Sequence, residues 1–247
     1  MKCRPKVKSN DNEPAEADVA LVREKSSQRK GRTSQIVRSA RVPTQERSKK
    51  RYQAILEATL HILQCTDIEN ISLHDIGKVA GLPPPSVHYL FNTVTSIFIV
   101  LNKNFNSYLT ESILEHSRNQ GFAHVRSWQE LTWSAMAIAR EQLNNNRAMS
   151  EVMLGPVMHR LIRLTNLETN RYHGAASLAL LDQFFVVPNA PKLADYLMYA
   201  AEIADGLWAG AYGRFGTIDD ETFDESVRAS IAYLRCYFPE SMQVRDA

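Results

Sequence analysis

The chain has 247 residues, 44% hydrophobic and 23% charged, the profile of a protein with a real apolar core. No apolar stretch approaches the roughly 20 residues that a membrane-spanning helix needs, and no apolar segment follows the basic N-terminus, so neither a membrane protein nor a secretory leader is expected. Three scattered cysteines, Cys3, Cys65 and Cys236, fit a reducing cytoplasm better than a disulfide framework or a metal site.

The net charge of +2 conceals an asymmetry. Residues 1–51 hold 15 Lys/Arg against 6 Asp/Glu, whereas the remainder is acidic. A basic arm ahead of an acidic body is a footprint of a nucleic-acid partner, because Lys and Arg displace counterions condensed on phosphates; a solvated tail with no partner has the same composition. Residues 1–43 contain few large apolar side chains to offset the entropy of ordering. They read as a disordered arm with Arg29, Lys30, Arg32, Arg38 and Arg41 as its electrostatic reach, and a short helical turn fits around Val19–Glu24.

Residues 44–92 read as a three-helix unit. From Gln45 onward, Tyr52, Ile55, Leu56, Thr59, Leu60 and Leu63 follow helical spacing and lay one apolar stripe. Arg47, Lys49, Lys50 and Arg51 oppose the dipole at that helix's start, which suggests that they serve something outside it. Ser72 with Asp75 predicts a capping box opening a two-turn helix, and Gly81 supplies the residue that tolerates positive φ after its end. Pro83-Pro84-Pro85 then opens a third helix, because the first backbone N–H groups of a helix have no internal partner to lose. Val87, Leu90 and Phe91 point inward together, leaving Pro84, Pro85, Ser86, His88, Tyr89 and Asn92 outward. Two short helices joined at a glycine, the second with a polar-aromatic face, suit a DNA major groove. An ordinary helical hairpin with a solvated Tyr89 and His88 fits the periodicity as well.

This stretch resembles the TetR family of transcriptional repressors. The likeness is carried by Ile55-Leu56-Glu57-Ala58, Ile71-Ser72-Leu73-His74-Asp75-Ile76, Ala80-Gly81-Leu82 and Ser86-Val87-His88-Tyr89-Leu90-Phe91, in order and at intact spacing. It departs from the family at the three prolines, at His88 where a Tyr is usual, and at Val94 where a Lys often follows. The resemblance implies that Ser72 anchors the DNA backbone and that Pro84, Pro85, Ser86 and His88 approach base edges, the prolines offering apolar contact to a thymine methyl. It also implies phosphate contacts from Tyr89 and phosphate or minor-groove contacts from Arg47, Lys49 and Lys50.

Everything after Asn92 reads as helix, about nine helices in all, so the fold class is all-α: a helix-turn-helix domain at 44–92 followed by a ligand-binding and dimerisation bundle at 93–247. Val94 to Ile113 form one long stripe, and Ser127 with Glu130 caps the next helix. Gly155-Pro156 is a break, and further helices are expected near 168–185, 191–215 and 219–238. A small-molecule pocket is expected among residues 101–185. Its apolar, adaptable lining would be Phe105, Tyr108, Trp128, Trp133, Met136, Met149, Met153 and Met158; Asn144, His159, Arg160, Arg163 and His173 would add polar contacts.

Residues 191–215 interleave Ala and Gly with large aromatics, and internal Gly, costing about 1 kcal/mol against Ala, points to close approach of another backbone. In the family the last two helices pair with their copies, so Ala204, Leu207, Trp208, Ala211, Tyr212, Val227, Ile231 and Leu234 are expected at a homodimer interface spanning about 191–238; packing within one subunit is the alternative. A dimer would place two recognition helices on half-sites about 34–36 Å apart, and a ligand that changed that separation would weaken DNA binding.

The expected function is a cytoplasmic DNA-binding regulator, a repressor by resemblance. It would bind a pseudo-palindromic operator in double-stranded DNA and be released by a small-molecule effector. The alternative is a helical adaptor that binds protein through 191–238 and has lost operator binding. No GxSxG, P-loop, GxGxxG or HExxH motif occurs and the seven histidines are dispersed, so neither enzyme activity nor a cofactor or metal is expected.

Overall fold

The structure, a computed structural model, describes Ala40, residues 43–155 and residues 160–245, the last range without the side chains of 160–170. Among the described residues there are nine α-helices, one 3-10 turn and no sheet beyond an isolated bridge between Phe185 and Val244. No described helix is long and apolar enough to cross a membrane. The basic arm expected at 1–43, apart from Ala40 and Pro43, lies outside the described residues, as do Met158 and His159 and the side chains of Arg160 and Arg163.

Helix α1 (Glu46–Leu63) buries Ile55, Leu56, Ala58, Thr59 and Leu63 along its stripe. A 3-10 turn at Ile68–Asn70 leads to α2 (Leu73–Val79) and α3 (Pro84–Leu90). Val87, Leu90 and Phe91 are buried beneath α3, and Tyr52 of α1 stacks on the Phe91 ring at 4.9 Å. Full burial of such a side chain contributes about 2–3 kcal/mol, so these residues hold α3 on the unit without using its outer face.

Thr93 caps α4 (Val94–Arg118), whose long stripe runs from Ile97 to Leu109. Ser127 caps α5 (Trp128–Asn144) as expected, and α6 (Arg147–Leu154) follows within two residues. Helix α7 (Arg160–Phe184) starts well before the expected position near 168. Pro156-Val157-Met158-His159 contains no Ser, Thr, Asp or Asn to signal a cap, so nothing local marks that start. The last helices are α8 (Leu193–Phe215) and α9 (Asp220–Leu234).

Helix α7 packs on α4 and α8, α9 packs on α8 and α5, and α6 touches α1, α4, α5 and α8. One apolar core runs continuously from Ile55, Ile76 and Phe91 through Ile97 and Leu101 to Met149, Trp208 and Phe223. A second core gathers Phe122, Trp128, Leu181, Leu193 and Phe238 at the other end of the bundle. The helix-turn-helix unit is therefore joined to the bundle by shared packing along α4 and α6.

Candidate nucleic-acid interface and ligand cavity

The turn between α2 and α3 is built by local chemistry. Ser72 Oγ accepts from Asp75 N at 3.2 Å while Asp75 Oδ2 accepts from Ser72 N at 3.2 Å, completing the capping box. The Ser72 hydroxyl also donates to that carboxylate and holds the Asp75 carboxyl below its usual range. At the other end, Gly81 adopts φ 64°, Gly81 N–H donates to Lys78 O at 3.3 Å, and Leu82 N–H donates to Gly77 O at 2.9 Å. That pair of bonds stops α2 in a Schellman arrangement and turns the chain toward α3. Gly77, which sequence reading passed over, permits the tight crossing: a Cβ there would lie 3.1 Å from Val87 Cγ2 and 3.2 Å from Leu82 O.

Pro84, Pro85, His88 and Tyr89 are exposed on α3, with Tyr89 at 61%, and Ser86 is half-buried. Asn92 is exposed but lies off the recognition helix, contrary to the expected run to 92. Phe91 is extended (φ −134°), because burying its ring bends the chain away from α3 before α4 starts. Arg47, Lys49 and Lys50 are exposed at the start of α1, and Lys49 Nζ pairs with Glu46 Oε1 at 2.7 Å. This exposed i,i+3 pair partly answers the dipole conflict read from sequence and is weak enough to yield to a phosphate.

A cavity of about 200 Å³ opens among α4–α9. Of the expected pocket residues, Met136, Met153 and His173 line it. The other expected residues whose side chains are described do not line it. Phe105, Trp128 and Met149 are core residues, Trp128 donating its indole N–H to Pro239 O at 2.9 Å. Tyr108 and Trp133 are about half-exposed; Tyr108 bonds Gln142 at 3.0 Å, and Trp133 lines a shallow recess against Phe223. Asn144 instead grips both backbone groups of Ile218 at 2.9 Å, fixing the turn between α8 and α9.

The apolar wall includes Leu109, Ile113, Leu131, Leu180 and Leu197. Its polar patch is a hydrogen-bonded network in which one buried donor, Asn102 Nδ2, has no partner among the described residues. Asn106 Nδ2 donates to Asn102 O at 2.9 Å, which orients the amide so that its Oδ1 faces His173 Nε2 at 2.9 Å. His173 Nδ1 lies 2.5 Å from the Thr110 hydroxyl, which donates to Asn106 O at 3.1 Å. Asn102, Asn106 and Thr110 recur every four residues on the buried stripe of α4, a polar signal on an apolar face that was open to detection in the sequence.

Burial pushes the His173 imidazole down to about 4 from 6.5. Its neutral form is the folded one, so its contribution to stability is complete above about pH 6.5 and is lost as pH falls toward 4, a loss on the order of 3 kcal/mol. Urea denaturation across that window is expected to show the fall in the parent protein and a flatter profile in His173→Gln. Equal slopes would place the titration elsewhere.

The expected dimer residues divide differently. Ala204, Trp208, Ala211, Tyr212, Val227 and Leu234 are buried within the subunit, Ile231 is half-buried against both cores, and Leu207 is exposed. Ala204, Trp208 and Leu234 line the cavity instead. The outward stripe of α8 is Tyr199, Gly206, Leu207, Gly210 and Gly213, and a Cβ at any of these three glycines would meet nothing within 4 Å. Helical phase explains the difference, because small and aromatic residues occupy both sides of α8.

Sequence reading missed a junction on α6. The buried Glu151 carboxylate accepts from Ile68 N at 3.1 Å and from Tyr212 Oη at 2.7 Å. Arg147 lies 3.4 Å from the same carboxylate and donates to Leu63 O at 2.6 Å and Asp67 Oδ1 at 2.6 Å. Burial and the adjacent Glu151 raise the Tyr212 phenol well above its ordinary value. Among the described residues no group of three or more His, Cys, Asp or Glu gathers as a metal site.

No protein-family model matches the sequence, and no curated protein matches it. Solved structures do match in three dimensions. The chain is similar to a TetR transcriptional regulator from Rhodococcus sp. RHA1 at 13% identity and a TM-score of 0.56, over 76% of this chain and 98% of that one. It is similar to a TetR-family regulator from Streptomyces coelicolor at 17% identity and 0.58, over 77% and 98%. A third is SmeT, the repressor of the Stenotrophomonas maltophilia multidrug efflux pump SmeDEF, at 15% identity and 0.51, over 79% and 91%. With a helix-turn-helix at 46–90 and a helical bundle behind it, the described chain has the fold of TetR-family transcriptional regulators.

Proposed function

We propose that the protein is a DNA-binding transcriptional regulator, a repressor that binds a pseudo-palindromic operator as a homodimer and leaves it when a small molecule fills the cavity. The observation that carries this reading is α3. Its underside is locked by Val87 and Leu90 and by Phe91 just after it, while Pro84, Pro85, His88 and Tyr89 stand exposed on a helix narrow enough for the major groove. The cavity supports effector control, since it lies between α4, which starts at the helix-turn-helix, and the α8–α9 pair.

Gel-shift assays with DNA upstream of its own gene test the reading. A sequence-preferring complex that weakens steeply with salt is expected, and the absence of any such complex would end it. His88→Ala is expected to cost about 1–3 kcal/mol of binding at one operator position and relax preference there, as read by selection from a randomised duplex. An unchanged binding profile would remove His88 from the base contacts.

The homodimer is assigned to the outward stripe of α8. Gly206, Gly210 and Gly213 would let a partner backbone approach closely beside Leu207. Gly210→Arg is expected to yield a folded monomer in sedimentation, because a Cβ there meets nothing of its own subunit within 4 Å and the exposed site points the long side chain to solvent. A dimer of unaltered affinity would place the interface elsewhere.

A further inference from the structure

The cavity wall and the start of the helix-turn-helix meet at one carboxylate. Trp208 lines the cavity from α8, and its indole is pinned: Nε1–H donates to Ser226 Oγ at 2.8 Å, and that hydroxyl donates to Phe223 O at 2.7 Å. An occupant pressing on a pinned ring moves the helix that carries it instead of a rotamer, because close-packed interiors transmit strain. Tyr212 stands one turn farther along the same inward face of α8, buried and bonded to Glu151 Oε1 at 2.7 Å. Glu151 Oε2 accepts from the Ile68 amide at 3.1 Å, in the 3-10 turn that leads into α2. The helix that carries Glu151, α6, packs on α8 and lines the cavity itself through Met153.

We infer that the relay from Tyr212 through Glu151 to Ile68 carries cavity occupancy to the helix-turn-helix without passing through α4, with Tyr212 as its positioning residue. This rests on the effector reading above and supplies its route. The two bonds to the carboxylate are unequal. The phenol's is the shorter, and a hydroxyl donating to a charged acceptor makes a strong bond. When α8 shifts, the carboxylate follows the Tyr212 hydroxyl and lets go of the Ile68 amide. Ile68 is buried, so the freed amide has no water to turn to and the turn loosens. Arg147 does not replace the lost contact, since a guanidinium offers no acceptor to an amide. It holds Leu63 O, Thr66 O and Asp67 where they are, which confines the change to the turn after them.

The test reads amide hydrogen exchange at Ile68 by NMR in the full chain, with the cavity filled from within by Ala135→Trp. Ala135 lies on the wall, and about 200 Å³ has room for an indole. Filling is expected to speed exchange at Ile68 at least about tenfold in the parent, and less than about threefold in Tyr212→Phe, which keeps the ring and deletes the hydroxyl. A tyrosine that only fills space would leave the two ratios equal. Ala139→Phe fills the cavity from the next turn of α5 and repeats the comparison if Ala135→Trp loses helical circular dichroism. Equal ratios in the two backgrounds, or an Ile68 amide indifferent to filling in the parent, overturn the inference. Faster exchange that depends on Tyr212 while operator affinity stays unchanged would refute the effector reading and leave the relay standing.

Discussion

Glu151→Ala is expected to lower the unfolding free energy by about 3 kcal/mol. The carboxylate is almost fully buried and serves three elements at once: the 3-10 turn through Ile68 N–H, α8 through Tyr212, and its own helix through Arg147. Truncation leaves the Ile68 amide and the Tyr212 hydroxyl buried without a partner, and each such group costs about 1–3 kcal/mol. Arg147 keeps Leu63 O and Asp67, but the Asp67 pair is largely exposed and screened and adds little. Glu151→Gln preserves an acceptor and is expected to lose less than half as much. Urea midpoints at fixed protein concentration measure both, and equal losses for the two variants would show that the cost comes from packing rather than from the orphaned donors. In the proposed regulator the alanine variant should also bind operator less well, because Ile68 lies five residues before the first residue of α2.

Gly174→Ala is expected to destabilise by a similar amount, about 3 kcal/mol. Alanine is the better helix former by about 1 kcal/mol, so local propensity alone predicts stabilisation. The tertiary contact reverses the sign. An added Cβ would sit 2.1 Å from the Ala194 carbonyl oxygen and 3.1 Å from Met198 Cβ, so α7 and α8 must separate to admit it. A backbone carbonyl inside a packed helix pair has no rotamer to escape into. Thermal unfolding decides the matter: a raised midpoint would mean that the helices separate at little cost. The same exchange at Gly206 meets no atom of its own subunit within 4 Å and carries no such penalty in the isolated chain.

The helix-turn-helix was legible because its determinants are local. Ser72 and Asp75, Gly81 and the run Pro83–Pro85 act over five residues or fewer, through caps, a left-handed φ and missing amides, and the structure shows each doing so. The burial of Val87, Leu90 and Phe91 follows from the same spacing. The start of α7 was not legible, since no cap residue announces it. The pocket was only partly so. Met136, Met153 and His173 line the cavity while Phe105, Trp128 and Met149 fill the core. Hydrophobicity is the same at a wall and in a filled interior.

Sequence by itself determined an all-helical chain with a capped, glycine-stopped, proline-opened reading head, because bonds between near neighbours need no partner from elsewhere. Only the tertiary structure decided which stripe of α8 looks inward, where the void lies, and that Glu151 joins Ile68 to Tyr212 across 83 and 61 residues of chain. Those outcomes depend on the rotation and spacing of packed helices, and a periodic pattern that carries small and aromatic residues on both sides is satisfied by more than one such rotation.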